Sequence, residues 1–211
     1  MAIITDITLQ SKNIDRVNLF VDGKFYAGVS RIAVYNHKLS VGTEIDESTL
    51  DKVIFDSDKD RAFDYALTYI SRYTPTEKIL KNKLYEKGYG KMIVDYTLEK
   101  CKKYGYIDDK EYARSYVSLN SAVKGKNRLR NELKAKGVAD AYIDKALEGL
   151  KQGATCSEVA KKHSKNADVR DPKYRAKLIR FLQYRGYEWE DISQALSVLK
   201  IVDDGFDGSG E

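Results

Sequence analysis

Apolar residues fall at matching places in three separate stretches of the chain: Val94, Leu98 and Cys101; Ile143, Leu147 and Leu150; Ile192, Leu196 and Leu199. Spacings of four and three put each trio on one side of a helix, the side that turns to a core. Upstream of each trio the chain repeats itself. Leu80-Lys-Asn-Lys-Leu-Tyr-Glu-Lys-Gly-Tyr is answered by Leu129-Arg-Asn-Glu-Leu-Lys-Ala-Lys-Gly-Val and by Leu178-Ile-Arg-Phe-Leu-Gln-Tyr-Arg-Gly-Tyr. The glycines at 88, 137 and 186 step by 49 residues, and Tyr65-Ala66, Tyr112-Ala113 and Val159-Ala160 step by 47. Self-similarity of this period marks one supersecondary unit used three times, because a single unit cannot bury its apolar face without a neighbour.

Start and stop signals give each unit three helices, A, B and C. In the first, helix A covers about residues 61–72. Thr74-Pro75-Thr76-Glu77 reads as an N-cap threonine with proline at N1 and a capping glutamate, opening helix B. Gly88 ends B by supplying the left-handed C′ position, and C covers about 91–103 before Gly105. The second unit opens at Asp108-Asp-Lys-Glu111, ends B at Gly137, and has C at about 140–150. The third opens at Thr155-Cys-Ser-Glu158. Asp171-Pro172 starts its B, Gly186 ends it, and C covers about 189–200.

Residues 1–30 lack this period. Ile3 to Leu9 and Arg16 to Val21 are β-prone, and Asp22-Gly23 before Lys24–Val29 is a strong hairpin signal, since a type I′ turn needs positive φ at both central positions. Short helices are expected at about 31–36 and 47–55, with Asp56-Ser-Asp-Lys-Asp as the boundary before the repeats. The expected fold is thus mainly α: three tandem three-helix repeats behind a small β-hairpin/α module. Its domains are 1–58, repeats at 59–107, 108–154 and 155–200, and a disordered acidic tail at 201–211.

Charge sharpens this picture. Residues 1–60 carry a net −3, residues 61–200 a net +12 and residues 201–211 a net −4. A basic body with acidic ends suits a polyanionic partner. Lys124, Lys126, Arg128 and Arg130 lie in a loop and at the start of helix B, where the dipole disfavours cations, so an external anion is implied. Lys134 belongs to the same candidate site, and Lys173, Arg175, Lys177 and Arg180 form a partial counterpart in the third repeat. Lys87, Lys136 and Arg185 sit at helix C-termini, where the dipole accounts for them. Tyr89 and Tyr187 have the place of the apolar contact after a C′ glycine, Tyr104 and Tyr106 flank a junction, and none of the 16 tyrosines is assigned to base stacking.

Catalytic chemistry finds little support. His37 and His163 are the two histidines, and neither has a nucleophile motif beside it. Cys101 falls in an apolar trio and reads as a small core residue. Two cysteines and no secretion signal fit a reducing cytoplasm, no run is apolar enough to span a membrane, and no cofactor, metal or catalytic residue is expected. Asp108, Asp109 and Glu111 are explained as capping groups at a helix N-terminus rather than as metal ligands.

Two stretches resemble a known family. Tyr104-Gly-Tyr-Ile-Asp-Asp-Lys-Glu-Tyr-Ala-Arg-Ser-Tyr-Val and Lys124-Gly-Lys-Asn-Arg-Leu-Arg-Asn-Glu-Leu-Lys-Ala-Lys-Gly-Val are similar to the repeats of RecX recombination regulators. The likeness extends over essentially the whole chain, and the N-terminal hairpin resembles the extension of Gram-positive RecX proteins. The first repeat departs from the pattern. It has Thr74-Pro-Thr-Glu-Lys-Ile-Leu80 where the family has Arg-Ser-x-x-Glu-Leu, keeping Arg72 and Glu77 only. The resemblance implies a curved array of modules without enzymatic activity. It also implies binding to the RecA recombinase and its filament on single-stranded DNA, in the filament groove, limiting its assembly or activity in homologous recombination, DNA repair and the SOS response. A monomer is expected. The alternatives are an architectural nucleic-acid binder and a helical scaffold for another protein.

Overall fold

The computed structural model describes residues 2–11, 13–165 and 167–204, and the chain divides into two compact units, one ending at Ile107 and one beginning at Asp108. In the first unit, β1 (Ala2–Gln10), β2 (Asn13–Val21) and β3 (Lys24–Ser30) form an antiparallel meander. The two-residue β4 (Glu44–Ile45) pairs with Ala2 and Ile3, giving the order β3-β2-β1-β4. Asp22 and Gly23 have φ of 48° and 77°, as the type I′ turn requires. The sheet buries Ile4, Val17, Leu19, Val21 and Val29 against Ala33 of α1 (Arg31–Asn36) and Leu50 and Val53 of α2 (Glu47–Tyr73).

Helix α2 (Glu47–Tyr73) is one unbroken helix where the sequence suggested two, with the expected boundary at 56–60 inside it. The polar run that reads as a linker is instead the seam on which the sheet docks. Ser57 is buried and its Oγ accepts the Ser30 N–H at 2.8 Å, while Asp58 receives Arg16 of β2 at 2.5 Å. The same helix then supplies Ala62 and Ala66 to the core of the first repeat, with Leu80 and Leu84 of α3 (Glu77–Glu86) and Val94, Leu98 and Cys101 of α4 (Lys91–Lys103).

A second correction concerns the start of α3. Thr76, not Thr74, is the N-cap, its Oγ1 accepting from the Ile79 N–H at 3.3 Å. Thr74 instead ends α2 in the left-handed region, with φ of 41°. Pro75 disfavours the right-handed helical region at the residue before it and so separates the two helices.

The second unit holds α5 (Asp109–Asn120), α6 (Lys126–Ala135) and α7 (Asp140–Leu147), then α8 (Gly153–His163), α9 (Pro172–Tyr184) and α10 (Trp189–Asp204). Asp108 caps α5 through the Lys110 and Glu111 N–H groups, and Asp171 caps α9 with Pro172 at the first turn, both as expected. Helix α8 begins at Gly153, ahead of the expected Thr155 start, with Gln152 at the N-cap position. Gly149, at φ of 71°, halts α7 before Leu150, and α10 continues to Asp204. The rest of the expected tail, 205–211, lies outside the described residues.

Gly88, Gly137 and Gly186 have φ between 86° and 87°. After each, the next N–H reaches back to a helix carbonyl: Tyr89 to Leu84, Val138 to Leu133 and Tyr187 to Leu182. These are the six-to-one bonds of a Schellman ending. The three apolar trios point into their cores, with Leu150 half-buried at the edge.

Candidate functional site

The basic group before and along α6 is held by neighbours within its own unit. Gly125 at the N-cap offers no side chain to the orphan N–H groups of the first turn. The Lys126 N–H donates to Gln152 Oε1 at 2.7 Å and the Asn127 N–H to the Gly186 carbonyl at 3.1 Å. Gly125 N–H itself donates to the Arg185 carbonyl at 2.8 Å, and the Arg185 guanidinium returns a bond to the Val123 carbonyl at 3.1 Å. Helix α6 of the second repeat is therefore stitched to the α9–α10 turn of the third. Its first two N-terminal donors, the N–H groups of Lys126 and Asn127, are thus met by protein.

Its cations have partners too. Lys124 Nζ lies 2.8 Å from Glu132 Oε2, Arg128 Nε lies 3.0 Å from Oε1, and the Tyr116 hydroxyl donates to Oε2 at 2.6 Å. Arg130 pairs with Asp144, and Lys134 pairs with Asp140 at 2.8 Å. Of the five, Lys126 alone makes no ion pair among the described residues. The third-repeat group differs. Lys173, Lys177 and Arg180 recur at intervals of four and three along one exposed face of α9, opposite the buried Leu178 and Leu182. No ion pair involves them among the described residues. Arg175 is half-buried on the other side of the helix, three and seven residues before Leu178 and Leu182.

Burial pushes the Glu132 carboxyl up, but hydrogen bonds from Lys124, Tyr116 and Arg128 outweigh it and hold the group at about 2. A carboxyl held below its ordinary value of about 4.3 stabilises the fold fully above that value, and the contribution is lost as pH falls toward 2. Glu132→Gln is expected to flatten the acid-side fall in thermal midpoint between about pH 5 and pH 2, and to lower the midpoint at pH 7. Parallel pH profiles of variant and parent would contradict the network.

Sequence reasoning passed over Glu132, Tyr116 and Gln152. Glu132 was detectable, being four residues after Arg128 on one helix face. Gln152 gives no such signal, as a single polar residue between two repeats. Elsewhere, Cys101 and Cys156 are buried, and burial raises both thiols, Cys156 to about 12, which keeps them protonated. His37 Nε2 lies 2.9 Å from an Asp56 oxygen, and His163 Nδ1 lies 3.0 Å from the Tyr174 hydroxyl, which also bonds the Ser164 hydroxyl at 3.3 Å. No cluster of metal-ligating side chains and no helix apolar enough to cross a membrane occurs among the described residues.

Residues 2–46 match the family model described as the regulatory protein RecX N-terminal domain. Residues 108–147 match the RecX second three-helix domain and 154–196 the third. The regulatory protein RecX of Clostridium acetobutylicum is 31% identical, with 92% of this chain and 94% of that protein covered. That of Clostridium beijerinckii is also 31% identical, over 96% and 98%. That of Bacillus pumilus is 30% identical, over all of this chain and 80% of the relative. A crystal structure of regulatory protein RecX superposes with a TM-score of 0.61 at 26% identity, covering 97% of this chain and 100% of that one. RecX from Lactobacillus salivarius, at 23% identity and a TM-score of 0.63, shares the fold over 68% of this chain and 97% of its own.

Proposed function

The chain belongs to the RecX family of regulatory proteins, and from that premise we propose that it binds the RecA recombinase and its filament on single-stranded DNA and restrains its assembly and activity. It does so without catalysis, in the cytoplasm, by occupying a surface. The observation that carries this reading is full-length similarity to regulatory relatives together with a basic repeat region of net +12.

Within that reading the exposed cations of α9 are the better contact residues. Among the described residues Lys173, Lys177 and Arg180 have no carboxylate to give up, so each can meet a phosphate or an acidic side chain of the filament without first breaking an ion pair. Lys124, Arg128, Arg130 and Lys134 would first lose theirs. An exposed pair is worth under about 1 kcal/mol, so Arg130 and Lys134 could still exchange partners. Lys124 and Arg128, sharing Glu132, are held more firmly.

The test is ATP hydrolysis by RecA on single-stranded DNA. Changing Lys173, Lys177 and Arg180 together to alanine is expected to raise the half-inhibitory concentration about tenfold. It should also reduce the slope of log affinity against log salt by about 2, each lost phosphate contact contributing about 0.7. The Lys126, Arg128 and Arg130 triple variant is expected to act more weakly. Full inhibition by the α9 variant at all salt concentrations would remove that face from the site.

A further inference from the structure

One aromatic position is furnished differently in each repeat. Steps of 47 along helix A align Tyr69, Tyr116 and His163. Steps of 49 along helix B align Lys83, Glu132 and Phe181, and then Lys87, Lys136 and Arg185. In the second repeat Tyr116 and Lys124 bond Glu132, and Lys124 and Lys136 lie 5.2 and 5.5 Å from the Tyr116 ring centre. In the third, a ring stands in place of the acid. His163 and Phe181 are 4.1 Å apart, and Arg185 covers Phe181 at 4.9 Å.

The first repeat has neither acid nor ring at that position; it has Lys83. Around it, the groove between α2 and α3 is lined by Tyr65, Tyr69, Tyr73, Arg72 and Lys87, with Glu86 its one carboxylate among the described residues. The three tyrosines follow one another along α2 with ring centres 6.4 and 4.8 Å apart, and the last of them, Tyr73, is 63% exposed. Lys87 Nζ lies 5.2 Å from the Tyr65 centroid. Glu86 meets Lys83 at 2.5 Å in an exposed pair three residues apart, the kind that yields readily to a stronger anion. Beyond Tyr65 the adjoining groove carries Asp64 and also Asp58, which pairs with Arg16 and Arg61.

We propose that this groove is a binding site for unpaired nucleotides of a single strand, with bases stacking on Tyr69 and Tyr73 and the adjoining phosphates meeting Arg72, Lys83 and Lys87. Aromatic rings and neighbouring cations are the two elements that single-strand binding uses, and stacking on a ring tolerates any base because every base has a π face. A duplex buries those faces between neighbours and has none to offer. An acidic peptide would use the cations and leave the tyrosine ladder idle. The reading gives a stacking role to two tyrosines where the sequence alone assigned none. It rests on the proposed association with single-stranded DNA and adds a site for the strand itself, which a bare strand suffices to test.

The experiment is fluorescence anisotropy of a labelled oligothymidylate and of an abasic strand of equal length, with the full chain as parent, Tyr73→Ala and Lys83→Glu. The parent is expected to favour oligothymidylate. Tyr73→Ala is expected to weaken that binding about fivefold or more and to leave the abasic strand unaffected. Lys83→Glu, which restores the acid of the second repeat, should weaken both. Equal affinity of the parent for both strands overturns the proposal. So does unchanged oligothymidylate affinity in Tyr73→Ala, including the case where that variant loses control of RecA, which would assign the groove to protein. The α9 variant reads the other surface, so failure there is distinguishable.

Discussion

Gly186→Ala is expected to destabilise the second unit by about 3–4 kcal/mol, while Gly88→Ala costs the first unit about 1–2 kcal/mol. The two glycines hold the same place in their repeats and share a φ of 86°, so the left-handed penalty of a Cβ is common to both. They differ in what the Cβ would meet. At Gly88 nothing lies within 4 Å. At Gly186 the Arg128 backbone nitrogen lies at 2.4 Å and its Cβ at 2.5 Å. Arg128 is in the first turn of α6, whose backbone is bonded to the same turn, so relief requires parting the two repeats. Gly125 faces the same seam, where an added Cβ would be 2.1 Å from the Gly186 carbonyl carbon. Urea unfolding followed by Trp189, the chain's single tryptophan and part of α10, reports on the affected unit. Equal losses at the two positions would show that the seam gives way at no cost.

Gln152→Ala is the other large effect, at about 3 kcal/mol. The side chain is 2% exposed. Its amide oxygen accepts from the Lys126 N–H at 2.7 Å, and its amide nitrogen donates to the carbonyls of Ser121 and Lys124 at 3.2 and 2.8 Å. Truncation leaves one N–H and two carbonyls without that partner in a space too enclosed for easy hydration, at about 1–3 kcal/mol for each group that stays unsatisfied. Gln152→Glu keeps the shape but aims a carboxylate at two carbonyl oxygens. At neutral pH it is expected to be at least as destabilising, with part of the loss recovered in acid as the new carboxyl takes up a proton and can donate. Thermal midpoints at pH 7 and pH 4.5 separate this account from one in which the glutamine merely fills space. In that case the glutamate variant would be stable at both.

Local rules with a strong steric basis carried the fold from residues to structure. The Asp22-Gly23 turn, the glycines that end helices, and the apolar trios all stand where backbone sterics and helical spacing place them. The misplaced boundary and the unexplained cations share a physical cause, tertiary partners for polar residues, whereas the cap moved from Thr74 to Thr76 because of Pro75. Asp56-Ser-Asp-Lys-Asp has the composition of a linker, yet Ser57 and Asp58 anchor the sheet. Lys124 and Arg128 looked misplaced at a helix N-terminus until Glu132 and Tyr116 were seen around them. The alignment of repeats could have warned of this, because an acid at 132 falls where the neighbouring repeats have Lys83 and Phe181. No spacing in the chain could have placed Gln152, whose partners are 26 to 31 residues away.

Regulation of the recombinase is tested most directly by pelleting RecA filaments assembled on single-stranded DNA in the presence of this protein, with bare DNA and free RecA as parallel samples. The protein is expected to sediment with the filament, saturating at a fixed ratio to RecA, and to slow ATP hydrolysis over the same concentration range. Recovery in the supernatant at concentrations that saturate bare DNA would contradict the account.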